Sequence, residues 1–87
     1  MENIENYKRV EIRLEVSDTA GVLRRITGEV NRVPEANMRE IHSVTRKDDK
    51  TKADMTIVLE GPGAGKADFI VRRLSKLYDV FKIEKIG

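Results

Sequence analysis

The sequence of residues 9–26 is RVEIRLEVSDTAGVLRRI, and its hydrophobic period changes from two to about 3.6 along this stretch. Over residues 8–16 apolar and charged residues alternate, which predicts a strand with one face on a core and one in water. From about residue 20 to residue 33 the apolar residues have helical spacing, and Pro34 ends that helix. The apolar residues of these two elements are Val10, Ile12, Leu14 and Val16, then Val22, Leu23, Ile26, Val30 and Val33.

Two strands are predicted after the first helix. Residues 37–46 form the first of them, and its apolar residues lie three apart rather than two, which indicates a bend or bulge. These residues are Met38, Ile41 and Val44. A polar hairpin turn at residues 47–50 leads to a strand at residues 52–60. The residues of this strand expected to face inward are Ala53, Met55, Ile57 and Leu59.

The last third of the chain repeats the order of helix and strand. Residues 61–65 are expected to form a flexible glycine-rich connection. A helix at about residues 66–78 and a strand at about residues 80–86 follow. The helix has the apolar stripe Ala67, Ile70, Val71, Leu74 and Leu77. The order strand–helix–strand–strand–helix–strand predicts an α+β, ferredoxin-like fold, with a four-stranded antiparallel sheet and two helices on one face.

Composition limits the classes of function. The 87 residues predict one domain over residues 8–87, after a polar lead-in at residues 1–7. The chain has 17 basic and 15 acidic side chains and no long run of either sign, so a DNA-binding role is not expected. The chain has no cysteine and no apolar run approaching about 18 residues. We therefore expect a cytoplasmic domain without disulfides and without membrane attachment.

No motif in the chain supports catalysis. The glycines of residues 61–66 are one residue too close to Lys66 for a phosphate-binding loop, and Ala67 stands where Ser or Thr is needed. His42 is the only histidine, and a lone histidine without cysteine is a poor metal site. The sequence therefore predicts no catalytic residue, no cofactor and no metal site.

Several segments resemble the ACT domain, a small-molecule sensing module. They are the pattern D-T-A-G-V-L-x-x-I at residues 18–26, the pair Asn37-Met38, and the apolar residues Val80, Ile83 and Ile86. Residues 45–57 are most similar to the C-terminal ACT domain of Rel/SpoT-type (p)ppGpp synthetase/hydrolases, the GTP pyrophosphokinases of the stringent response. The resemblance implies a regulatory end of a larger enzyme that carries none of its catalysis. The family usually has proline where Ala20 stands, so this turn is expected to be less rigid.

The turn between the first strand and the first helix is the predicted ligand site. Backbone N–H groups at a helix N-terminus are a natural seat for a carboxylate or phosphate. The predicted ligand-binding residues are Asp18, Gly21, Val22, Leu23 and Asn37. Resemblance to amino-acid-binding ACT domains implies that Asp18 binds the ligand ammonium and that Asn37 contacts the ligand. The structural alternatives are a helix N-cap for Asp18, an easier turn for Gly21 and a turn role for Asn37.

The sequence is also compatible with two other functions. One alternative is an amino-acid-binding ACT module of a biosynthetic enzyme or a free-standing regulator. Another is an RNA- or ribosome-contacting module using Arg46, Lys47, Lys50 and Lys52, although no aromatic residue is centred on the open sheet face for base stacking. Exposed strand edges and a small core favour a homodimer. A small amino acid, the ribosome and other domains of the parent enzyme are the further partners expected.

Overall fold

The computed structural model describes residues 9–36 and 38–86. Its strands are β1 (Arg9–Ser17), β2 (Met38–Thr45), β3 (Lys52–Glu60) and β4 (Val80–Ile86). Its helices are α1 (Val22–Asn31), a 3₁₀ helix (Gly61–Lys66) and α2 (Ala67–Leu74). The predicted lead-in at residues 1–7 and the predicted site residue Asn37 lie outside the described residues. No helix among the described residues is long and apolar enough to cross a bilayer.

The four strands form one antiparallel sheet in the order β2-β3-β1-β4. In the centre of the sheet Ile12 pairs with Ile57, and Leu14 pairs with Ile83 on the other side of β1. With two helices in the order β1-α1-β2-β3-α2-β4, this is the predicted ferredoxin-like fold.

The core lies between one face of the sheet and the helices. The inward residues predicted for β1 and β3 are all buried, and α1 contributes Val22, Ile26 and Val30. The prediction that Leu23 belongs to this stripe is wrong, since its side chain is 46% exposed. Each helical residue is rotated by about 100° from the one before it, so burying Val22 and Ile26 turns Leu23 toward the flank of the helix.

The bulge predicted in β2 is present near its start. Met38 pairs with Leu59 and Glu40 pairs with Val58, so Arg39 is the extra residue. Because of this insertion, Met38 and Ile41 both pack against the core although they are three apart. Val44 does not join them, because it pairs with Asp54 on the open face and is 66% exposed.

Residues 61–66 form a 3₁₀ helix rather than the flexible connection expected from their glycines. Gly61 has a φ of 64°, a left-handed conformation that glycine adopts without strain. Gly63 and Ala64 are buried, and Ala64 belongs to the core. The small residues at these positions allow the segment to pack against the core.

Candidate functional site

The β1–α1 turn presents a helix N-terminus without a side-chain cap. Gly21 occupies the N-cap position with φ 88° and ψ −9°, and no side chain of the described residues caps the N-terminal amides. The alternative role of Asp18 as the N-cap is therefore wrong. The Arg25 N–H donates to the Gly21 carbonyl at 2.9 Å, which is the first full helical bond. The N–H groups of Leu23 and Arg24 precede it, so they have no acceptor within the helix.

Asp18 ties this turn to the β2–β3 hairpin. Its Oδ2 accepts a hydrogen bond of 2.8 Å from the Thr45 hydroxyl, and its N–H donates to the Thr51 carbonyl at 2.8 Å. The Asp18 side chain is exposed, and its Oδ1 accepts no hydrogen bond from the described residues. This oxygen is therefore accessible to a cationic group at the mouth of the turn.

The other predicted site residues differ in what they expose. The Val22 side chain is buried in the core, so this residue offers only its main chain. Leu23 exposes nearly half of its side chain beside the free amides. Gly21 leaves open space, since a Cβ placed on it would meet no atom of the described residues within 4 Å. Of the five predicted residues, the structure thus gathers Asp18 and residues 21–23 at one turn.

A partly buried ion pair, which the sequence did not reveal, lies beside this turn. Asp79 is only 2% exposed, and its Oδ2 accepts hydrogen bonds from Arg25 Nε at 3.0 Å and Arg25 Nη2 at 2.6 Å. The Ser17 N–H donates to the Asp79 carbonyl at 2.8 Å, and the Tyr78 ring lies 5.3 Å from the Arg25 guanidinium. The bond to Asp79 raises the pKa of Arg25 further above its ordinary value. Arg25 and Asp79 are 54 residues apart, so no local pattern connects them.

The open face of the sheet carries a shallow groove of about 650 Å³, lined by charged side chains of both signs. Arg46 lies at one end and is bound to Asp48, Glu15 and Asp54. The pKa of Arg46 is raised above its ordinary value, mainly by its hydrogen bond to the Asp48 carboxylate. Because three carboxylates surround this arginine, it is poorly suited to bind RNA phosphate. Lys52, another residue of the RNA alternative, lies 5.3 Å from the ring of Phe81.

The described residues contain no group of three or more His, Cys, Asp and Glu side chains arranged to hold a metal. His42 Nε2 lies 3.0 Å from Glu40 Oε1 on the exposed edge strand β2, which is an ordinary surface contact. This contact also lowers the pKa of Glu40.

No family model matches the sequence, and no curated protein matches it. Solved structures do match. The ACT domain from the GTP pyrophosphokinase of Chlorobium tepidum has a TM-score of 0.72 and 20% identity, over 92% of this chain and 99% of that one. The C-terminal domain of the MgtC protein from Mycobacterium tuberculosis has a TM-score of 0.73 and 17% identity, over 99% and 92%. The regulatory subunit of aspartate kinase from Thermus flavus has a TM-score of 0.69 and 10% identity, over 91% and 51%.

These similarities concern the fold. The Chlorobium domain matches nearly end to end, and its name agrees with the family that residues 18–26 resemble. The structural comparison and the sequence pattern thus indicate the same architecture. The chain has the fold of an ACT domain, like that of the GTP pyrophosphokinase.

Proposed function

We propose that this chain is a regulatory ACT domain, the C-terminal sensing module of a Rel/SpoT-type GTP pyrophosphokinase. The observation that carries the proposal is the end-to-end structural match with the ACT domain of such an enzyme. The fold also occurs in MgtC and aspartate kinase, so the choice of parent depends on the sequence similarity of residues 45–57.

The proposed activity of the domain is recognition of a small amino acid of the branched-chain class at the β1–α1 turn. The amides of Leu23 and Arg24 have no helical acceptor and would hold the ligand carboxylate. Asp18 would accept the ligand ammonium through its free oxygen. Charge-assisted contacts of this kind are each worth about 1.5–3 kcal/mol. After entropy losses the affinity is expected to be micromolar to millimolar.

A titration followed by amide chemical shifts tests this site. Adding L-valine, L-leucine or L-isoleucine should move the amides of residues 18–24. Asp18→Asn should weaken binding, because it removes the charge that attracts the ammonium. Gly21→Asp should abolish binding by placing a negative side chain at the carboxylate seat. Unchanged amides at tens of millimolar amino acid would leave a domain that signals through protein or ribosome contacts alone.

The isolated chain is proposed to have no pyrophosphokinase activity. Its glycine-rich segment forms a 3₁₀ helix with Ala67 at the position where a magnesium-binding hydroxyl would be required. Incubation with GTP, ATP and magnesium should therefore give no pyrophosphoryl transfer. Turnover that copurifies with the chain would overturn the regulatory proposal. Hydrolase and synthetase domains upstream in the native reading frame would support the proposed parent, and a biosynthetic enzyme there would replace it.

The domain is also proposed to form a homodimer by extending its sheet. Within residues 9–36 and 38–86, strands β2 and β4 each pair on one side only, so each has one edge without a partner strand from these residues. On β2 the Arg46 N–H donates to the Lys52 carbonyl at 2.9 Å. Since bonding directions alternate along an antiparallel strand, the Val44 N–H also points toward β3, whereas the Ser43 N–H points outward. Light scattering during size exclusion should detect a dimer at high micromolar concentration, and a monomer throughout would reject the proposal.

One observation favours a second candidate, an amino-acid-binding module of a biosynthetic enzyme. The regulatory subunit of aspartate kinase shares the fold over nearly all of this chain. The ligand titration would give the same result for both candidates, so the neighbouring domains of the native reading frame distinguish them.

A further inference from the structure

Asp79 is a buried carboxylate that is only half used. Both hydrogen bonds from Arg25 go to Oδ2, and Oδ1 is buried without a partner among the described residues. Leaving a buried acceptor unpaired is unfavourable. Two-bond pairs of arginine and a carboxylate commonly use both carboxylate oxygens. The geometry instead fixes the guanidinium by one of its edges.

The pair lies at the N-terminal end of α1. The Asp79 carbonyl accepts the Ser17 N–H, which places Asp79 at the end of β1, directly before the ligand turn. Arg25 lies in the first turn of α1, where its own N–H bonds to Gly21. Long side chains on a helix run back toward its N-terminus. The Arg25 side chain is therefore expected to lean toward the end of α1 that carries the free amides of Leu23 and Arg24.

Arg25 retains hydrogen-bond donors for another group. A guanidinium has five N–H donors, and Asp79 takes one from Nε and one from Nη2. Both hydrogens of Nη1 and the second hydrogen of Nη2 bond to no other described residue, and the side chain is 37% exposed. The ring of Tyr78, which is 81% exposed, lies against the guanidinium. A planar donor edge held in place in this way suits the two oxygens of a carboxylate.

We propose that Arg25 binds the carboxylate of the regulatory ligand together with the N-terminal amides of α1, and that Asp79 is its positioning residue. This inference rests on the proposed ligand site at the β1–α1 turn and adds a specificity-determining residue to it. With Asp18 for the ammonium and the exposed ring of Tyr78 beside the guanidinium as an apolar surface, the site suits a zwitterionic amino acid with an apolar side chain.

The test uses paired substitutions that keep the interior neutral. Arg25→Gln combined with Asp79→Asn removes the guanidinium without leaving a buried charge. The matched control is Arg73→Gln combined with Glu29→Gln. Arg73 is 34% exposed and also donates Nε and Nη2 to one carboxylate oxygen, at 3.2 and 2.8 Å, but it links α2 to the distal part of α1. Binding of L-leucine is measured by amide shifts of residues 18–24.

The first pair should weaken L-leucine binding about ten- to hundredfold, and the control pair should leave the affinity unchanged. Arg25→Lys, which keeps the charge but loses the planar fork, should give an intermediate loss and guards against a folding defect of the double variant. Equal affinity of wild type and the first pair would refute the role of Arg25 while leaving the ligand site intact.

Inorganic phosphate separates this inference from the proposed ligand. If L-leucine does not bind the wild type, the amino-acid proposal fails, but an anion site at Arg25 is still measurable. Phosphate should then move the amides of Leu23 and Arg24 in the wild type and not in the Arg25→Gln, Asp79→Asn variant. Absence of any phosphate-dependent shift in the wild type would overturn the role of Arg25 as well.

Discussion

Gly21→Ala is expected to destabilise the domain by about 1–2 kcal/mol, the cost of placing an L-residue in the left-handed region. Gly21 has φ 88° and ψ −9°, which only glycine adopts readily. A Cβ built on it would meet nothing within 4 Å, so no steric clash contributes to the loss. The change in the free energy of unfolding therefore isolates the backbone term. Urea denaturation at fixed protein concentration measures it.

Gly28→Ala provides the matched control, because it adds the same methyl group seven residues further along. Gly28 lies inside α1, and a Cβ there also meets nothing within 4 Å. Replacing a helical glycine by alanine should stabilise the domain by about 0.8–1 kcal/mol. The two variants should thus shift the urea midpoint in opposite directions. Gly21→Asn should lose less than Gly21→Ala, because asparagine tolerates the left-handed region. Equal stability of Gly21→Ala and wild type would refute the turn geometry, and with it the orientation of the free amides.

Three further predictions concern the core, the hairpin and the sheet edge. Ile26→Ala should cost about 2–5 kcal/mol in urea unfolding, since Ile26 is fully buried in the core. Hydrogen bonds from the Thr51 hydroxyl and N–H lower the pKa of Asp49. The stabilisation they give is therefore fully present above the ordinary pKa near 3.8 and is lost as the pH falls through the lowered pKa. Thr51→Ala should raise the pKa of Asp49 in a carboxyl-carbon NMR titration, and an unchanged pKa would contradict this. Ser43→Pro should reduce dimerisation through β2 at little cost in stability, whereas Val44→Pro should destabilise the monomer, and light scattering with urea unfolding separates the two effects.

The sequence pattern predicted the fold because most elements have one clear hydrophobic period. The alternation in β1 predicted every inward residue correctly. The separation of three residues between Met38 and Ile41 correctly indicated a bulge. The same spacing misplaced Val44, because the bulge is complete by Glu40 and the strand then returns to a period of two. A pattern of apolar residues indicates that a bulge exists but does not limit where it ends.

The candidate site was predictable only in its local part. Asp18 and Gly21 lie within one turn, where helix start signals are local in sequence. The other side chains around the turn are brought there by tertiary contacts. Thr45 binds Asp18 across 27 residues, and Asp79 binds Arg25 across 54 residues. Neither contact follows from propensity or periodicity, since each requires two elements to be docked first.

These contacts connect the β1–α1 turn to both edge strands of the sheet. Through Asp18 the turn is bonded to Thr45 at the end of the edge strand β2. Through Arg25 the first turn of α1 is bonded to Asp79, which directly precedes the other edge strand, β4. A ligand that binds Asp18 and Arg25 together would therefore change the strength of the Asp18–Thr45 and Arg25–Asp79 contacts, which hold the turn to the two edge strands. A second copy would pair at these edges, so ligand binding at the turn and dimerisation are expected to be coupled. By linkage, the factor by which the ligand changes the dimerisation constant equals the factor by which dimerisation changes the ligand affinity.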